Sequence, residues 1–204
     1  MAMDIRAPAI VCASRPHGET AAIVRLLTAD HGMVAGYVAG ARGRALRPVL
    51  IPGNLVDAQL KSRSENQLPF ARVELVRSRG SLLSEPLPAA GINWVTALAA
   101  SALPERQPFP ALYESLEGVL EAICVAPSAR GWAVPLLSFE VLLISELGYG
   151  EPIRRPEARD WPSMLNTFDL LGRQLARYPL ADRHGDVMAS RLMLRERLAR
   201  IEDA

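Results

Sequence analysis

Ala21-Ala22-Ile23-Val24-Arg25-Leu26-Leu27, Asp30-His31-Gly32, Met33-Val34-Ala35-Gly36-Tyr37-Val38-Ala39 and Gly40-Ala41-Arg42-Gly43-Arg44 lie almost end to end in this chain. The two longer runs are short, rich in β-branched side chains and bounded by Gly, His and Asp, which is the pattern of strands. Ala9-Ile10-Val11-Cys12-Ala13 precedes them across Arg15-Pro16-His17-Gly18-Glu19, whose composition favours a tight turn. Three hairpin-linked strands leading into a Gly/Arg-rich loop form the opening of a small closed β-barrel with positively charged loops.

Working outward, Asn54 to Lys61 and Ala71 to Arg77 alternate apolar with polar residues, as half-buried strands do. Five strands with one long excursion after the third, Gly40 to Gly53, point to an OB-type barrel. Beyond Gly80 the pattern changes. Pro86 and Pro88 read as a linker, and apolar positions then recur at helical spacing over 92–103, 111–125, 132–147, 164–178 and 187–201. The expected fold is α+β, with a five-stranded OB-fold β-barrel over residues 1–80 and an all-α helical domain over 81–204.

The 204 residues carry a net charge of +1 that is unevenly spread. Residues 1–83 hold 11 basic against 6 acidic side chains, and the remainder 12 against 16. A basic half joined to an acidic half suggests a polyanion-binding part attached to something else. No apolar run reaches the roughly 18 residues of a membrane span, and the N-terminus lacks a signal peptide's apolar stretch, so no membrane contact and a cytoplasmic location are expected. The two cysteines, Cys12 and Cys124, fall in different halves and read as small core residues.

Catalytic patterns are missing. Lys61, the sole lysine, is preceded by Leu60 and does not complete a phosphate-binding Gly-Lys-Ser loop. His17, His31 and His184 sit in unrelated turns without ligand-spaced neighbours, so neither metal nor cofactor is expected. Glu114, Glu117 and Glu121 read as a solvent-facing helix stripe. A hydrolase built on His17 and Glu19 is explained better as a turn, and the expectation is a protein that is not an enzyme.

Binding remains. Arg42, Arg44 and Arg47 offer charge on a glycine-containing, flexible loop; Arg15 lies in the first turn; Lys61 and Arg63 end the fourth strand, and Arg77 and Arg79 the fifth. Such residues on a small barrel suit a phosphate backbone. With only Tyr37 and Phe70 as aromatics in this half, charge rather than stacking is expected to dominate.

Arg15-Pro16-His17-Gly18-Glu19-Thr20, Leu27-Thr28-Ala29-Asp30-His31-Gly32 and Gly40-Ala41-Arg42, with Leu103-Pro104-Glu105-Arg106, Leu112-Tyr113-Glu114 and Phe139-Glu140 through Leu147-Gly148-Tyr149-Gly150, resemble the bacterial recombination protein O (RecO) family. That resemblance implies a cytoplasmic, nucleoid-associated DNA repair protein of DNA recombination. Such a protein binds single- and double-stranded DNA, anneals complementary strands and works with RecR to help load RecA. It also implies docking of the acidic C-terminal tail of single-strand-binding protein.

Two departures stand out. Many members carry a Cys-rich zinc segment where this chain has Glu151-Pro152-Ile153-Arg154-Arg155-Pro156, so no zinc site is carried over. Leu137-Ser138 also stands where members often place basic residues, which moves any partner-binding role to Arg130, Arg154 or Arg155. The alternative from the residues is an OB-fold adaptor that binds protein partners only.

Overall fold

The computed structural model describes residues 3–64, 67–149, 160–181 and 185–201. Five strands come first, β1 (Met3–His17), β2 (Ala21–Thr28), β3 (Gly32–Val38), β4 (Leu55–Ser62) and β5 (Phe70–Arg77). Five helices follow, α1 (Pro86–Ala102), α2 (Pro110–Val125), α3 (Ala133–Glu146), α4 (Trp161–Arg177) and α5 (Gly185–Ala199). Among the described residues no helix is long and apolar enough to cross a membrane.

The strands pair in the order β1-β2-β3-β5-β4, and β4 returns to β1 to close the barrel. β1 makes closure possible. Residues 3–10 run antiparallel to β4 and residues 10–17 antiparallel to β2, and the register slips between Val11 and Ala13. Such a bulge bends a strand and increases its twist, which lets one strand serve two neighbours. Cys12 falls in the slip, fully buried, and burial pushes its thiol up to about 12.

The barrel interior is filled by inward residues of all five strands, among them Val11, Val24, Leu26, Val34, Val56 and Leu60. The Gly40–Gly53 excursion completes it. Ala41 and Leu50 are buried in this core, and Leu46 and Val49 pack against it. The excursion is therefore an ordered plug, where the sequence suggested a flexible loop.

Two compact units emerge, Met1–Ser81 with Leu103–Tyr113, and Leu82–Ala102 with Glu114–Ala204. The boundary drawn from sequence, 1–80 against 81–204, thus differs in one segment. β3 pairs with β5 only at Tyr37 and Phe70, which leaves the Met33 end of its edge open. Met33 O accepts from the Arg106 N–H at 2.9 Å, and Arg25 pairs with Glu105 at 3.3 Å. Gly32 has φ +67°, and a Cβ there would overlap the Gln107 carbonyl.

Within the helical unit α1 packs on α5, α3 on α4 and α4 on α5. Pro86 and Pro88 are not a linker but the first turn of α1, where a missing N–H leaves no helical bond unmade. Asp160 caps α4 by accepting from the Ser163 N–H at 2.7 Å, a bond that holds its carboxyl below the ordinary value.

Glu140 joins these helices. Its carboxylate accepts from Trp94 Nε1 at 2.6 Å and from Arg191 at 3.2 and 2.8 Å, and Arg191 also donates to Phe168 O at 2.6 Å. Four helices, α1, α3, α4 and α5, meet there. Arg191 is buried, whereas its neighbour Leu192 is 62% exposed. Gly172 of α4 makes room, since a Cβ there would overlap the guanidinium.

Cys124 is exposed and does not join the core. Native protein is therefore expected to consume one equivalent of a thiol reagent quickly, at Cys124, and a second only after denaturation. Arg191→Ala is expected to lower urea-measured stability by about 3–5 kcal/mol, because it leaves Glu140 charged and unpaired, and Gly172→Ala to lower it in the same direction. Leu192→Ala should stay within about 0.5 kcal/mol.

Candidate nucleic-acid interface

Two connections carry the arginines of the barrel's charged surface, the β1–β2 turn region and the 40–53 segment. Arg15 and His17, read from sequence as part of the first turn, are the last residues of β1 instead, both exposed, and the β1–β2 turn follows at 18–20. The 40–53 plug begins on that turn, because the Arg42 N–H donates to Thr20 O at 3.1 Å and its Nη1 to Glu19 O at 3.0 Å. Backbone bonds from Gly43 to Gly40 O and from Arg47 to Gly43 O then wind the segment that bears Arg44 and Arg47. Arg42 and Arg47 line one groove of about 530 Å³ with Ser14 and Pro16, the residues on either side of Arg15. Arg42 and Arg47 thus share one groove, with exposed Arg44 on the same wound segment, while Arg15, alternating with Ser14 and Pro16, is on the other face of β1.

Lys61 and Arg63 lie at the end of β4 and line a second hollow of about 740 Å³ with Met3, Leu68 and Phe70. Lys61 is paired with Asp4 at 3.0 Å, both largely exposed, so the pair is weak and its cation stays available.

The registers connect these two places. Arg15 pairs with Ile23, Ile23 with Tyr37, Tyr37 with Phe70, Phe70 with Lys61, and Lys61 with Asp4. This is one row crossing every strand. Its members point away from the core, since their chain neighbours Ala22, Val38, Leu60 and Ala71 are buried. At its centre the Tyr37 and Phe70 rings meet edge to face with centroids 5.3 Å apart, and His17 meets Tyr37 at 6.0 Å. Sequence reading named Tyr37 and Phe70 but expected charge to outweigh stacking, because their adjacency is set by strand register.

The remaining sequence-predicted residues stand elsewhere. Antiparallel pairing of β4 with β5 puts the exit of each beside the entry of the other, so Arg77 pairs with Leu55 while Lys61 pairs with Phe70. Arg77 is exposed, but about 23 Å along β5 from Phe70 at strand rise. Arg79 is not a surface residue: it is 1% exposed, and its guanidinium donates to Gly53 O at 2.5 Å. The Arg79 N–H donates to Asn54 Oδ1 at 2.8 Å, while Asn54 Nδ2 holds the Pro48 and Val49 carbonyls. Arg79 therefore anchors the plug. In the helical unit Arg130 is exposed and lies over the Trp161 ring, 4.9 Å from its centroid. Arg154 and Arg155 lie outside the described residues. Among the described residues no group of three His, Cys, Asp or Glu side chains is placed to hold a metal ion.

Residues 1–79 match the family model "Recombination protein O N terminal", and residues 84–154 match "Recombination protein O C terminal". The chain belongs to the recombination protein O family. It is 40% identical over 149 residues to a DNA repair protein RecO of Ruegeria sp. (strain TM1040), covering 72% of this chain and 61% of that protein. A DNA repair protein RecO of Rhodospirillum centenum is 41% identical over 143 residues, covering 70% and 56%. One of Phenylobacterium zucineum is 40% identical over 149 residues, covering 72% and 60%. The chain spans between 56% and 61% of the length of these relatives.

The two roles assigned to arginine here separate by stability. Arg79→Ala is expected to destabilise the barrel by at least about 2 kcal/mol, through lost charged hydrogen bonds and packing. Arg63→Ala should stay within about 0.5 kcal/mol. Urea unfolding monitored by barrel amide signals measures both.

Proposed function

We propose that this chain is a DNA-binding recombination mediator of DNA repair that acts without catalytic turnover. In this reading its OB-type barrel holds single- and double-stranded DNA by the phosphates and promotes annealing of complementary strands. With RecR it assists RecA loading, and its helical domain takes the acidic tail of single-strand-binding protein. A cytoplasmic place at the nucleoid belongs to the same reading. The observation that carries it is the pair Arg42 and Arg47 along one groove of a closed five-stranded barrel, with Arg44 exposed between them. Cations on such a barrel suit a polyanionic chain whose charge repeats at every nucleotide. The names of the three relatives, all DNA repair proteins, agree with it.

Phosphate binding releases counterions, so affinity must depend on salt. With roughly four phosphate contacts, log affinity for a single-stranded oligonucleotide is expected to fall against log salt with a slope of about −3. Substituting Arg42, Arg44 and Arg47 together by Ala should weaken binding and flatten that slope. Fluorescence anisotropy at several salt concentrations measures it; a flat response in the unmodified chain rejects the reading, as does unchanged affinity in the folded triple variant for this site.

A further inference from the structure

Phe70 is 66% exposed at the centre of a β-sheet row, where a polar residue would be the ordinary occupant. Its ring meets Tyr37 edge to face, and the row carries Arg15 on one side of the pair and Lys61 on the other. Arg63 lines the hollow beside Phe70. Aromatic rings flanked by cations match the two surfaces of an unpaired nucleotide, a flat base and a charged phosphate. A duplex keeps its base faces stacked on one another and offers only the second.

We infer that the outward row Arg15-Ile23-Tyr37-Phe70-Lys61 is a base-stacking track for single-stranded polynucleotide, with Phe70 as its principal ring and the flanking cations holding the backbone. This rests on the nucleic-acid reading above and adds a strand-type preference to it. From Arg15 to Lys61 the row crosses four strand spacings, about 19 Å measured along the sheet. Asp4 closes the row beyond Lys61, so an approaching phosphate meets a carboxylate there and the track ends at Lys61. Stacking engages every base alike, so the track is indifferent to sequence. It also changes what the charge argument predicts: part of the affinity must survive at high salt, because a stacked base releases no counterion.

The test uses the full chain and two fluorescent oligonucleotides of equal length, one of thymidines and one of abasic sites. Unmodified protein is expected to bind the thymidine strand about tenfold more tightly. Phe70→Ala should remove most of that preference while leaving the salt slope unchanged, and Phe70→Trp should keep it. Phe70→Leu, apolar but without a π face, serves if the alanine variant fails to fold, and should likewise lose it. An unmodified protein without the preference overturns the track, and so does a Phe70→Ala or Phe70→Leu variant that retains it. A variant that loses affinity equally for both strands also overturns it, since Phe70 then acts only through the fold or through a protein partner. Absence of binding to either strand at low salt sinks instead the nucleic-acid reading on which the track rests.

Discussion

A fifteen-residue strand that bonds one neighbour with its first half and another with its second holds the barrel shut, and the places of the charged side chains follow from it. β1 bends at the Cys12 slip, with Met3 beside Ser62 at one end and His17 beside Ala21 at the other. Phe70 enters the sheet between Tyr37 and Lys61, paired with both. Straightening β1 would break its pairing with β4 and take Asp4 from beside Lys61. The plug reinforces this arrangement from inside, with Leu50 in the barrel core and Arg79 and Asn54 tying its far end down. The arginines of the rim therefore stand on backbone that is already ordered, so little conformational entropy is lost when a ligand engages them.

The helical unit is organised by a different interaction. A carboxylate buried among apolar helices must be paired, and Glu140 is paired with Arg191 and bonded to Trp94. The same geometry makes Phe168 and Gly172 part of the site, one by its carbonyl and ring, the other by the space it leaves. The Phe139-Glu140 pair quoted for the family resemblance thus has a structural meaning in this chain: Phe139 fills the core and Glu140 binds the helices to one another.

Much of this was legible in the sequence because period and punctuation are local. β-branched runs between turn residues marked the first three strands, apolar–polar alternation the last two, and helical spacing the five helices. What was not legible depended on tertiary pairing. Pro8 concealed the first half of β1, and Pro86 and Pro88 resembled a linker although the first turn of a helix tolerates them. The pairing of Arg191 with Glu140 spans fifty-one positions, so no local pattern reveals it. Arg79, Arg77 and Lys61 looked alike as strand-end cations, yet one is buried, one stands at the opposite end of the sheet and one flanks an aromatic pair. The aromatic pair was hidden for the same reason, since the β3–β5 pairing must be known before Tyr37 and Phe70 become neighbours.

The central claim is that one rim and its outward row hold the polynucleotide, and backbone amide signals followed during titration with a single-stranded oligonucleotide test it most directly. The account predicts shifts concentrated at residues 14–18, 36–38, 41–47, 60–63 and 70–71, with Arg77 and the helices unmoved. Shifts confined to the far end of β5 or to the helical unit, with this rim silent, would contradict it.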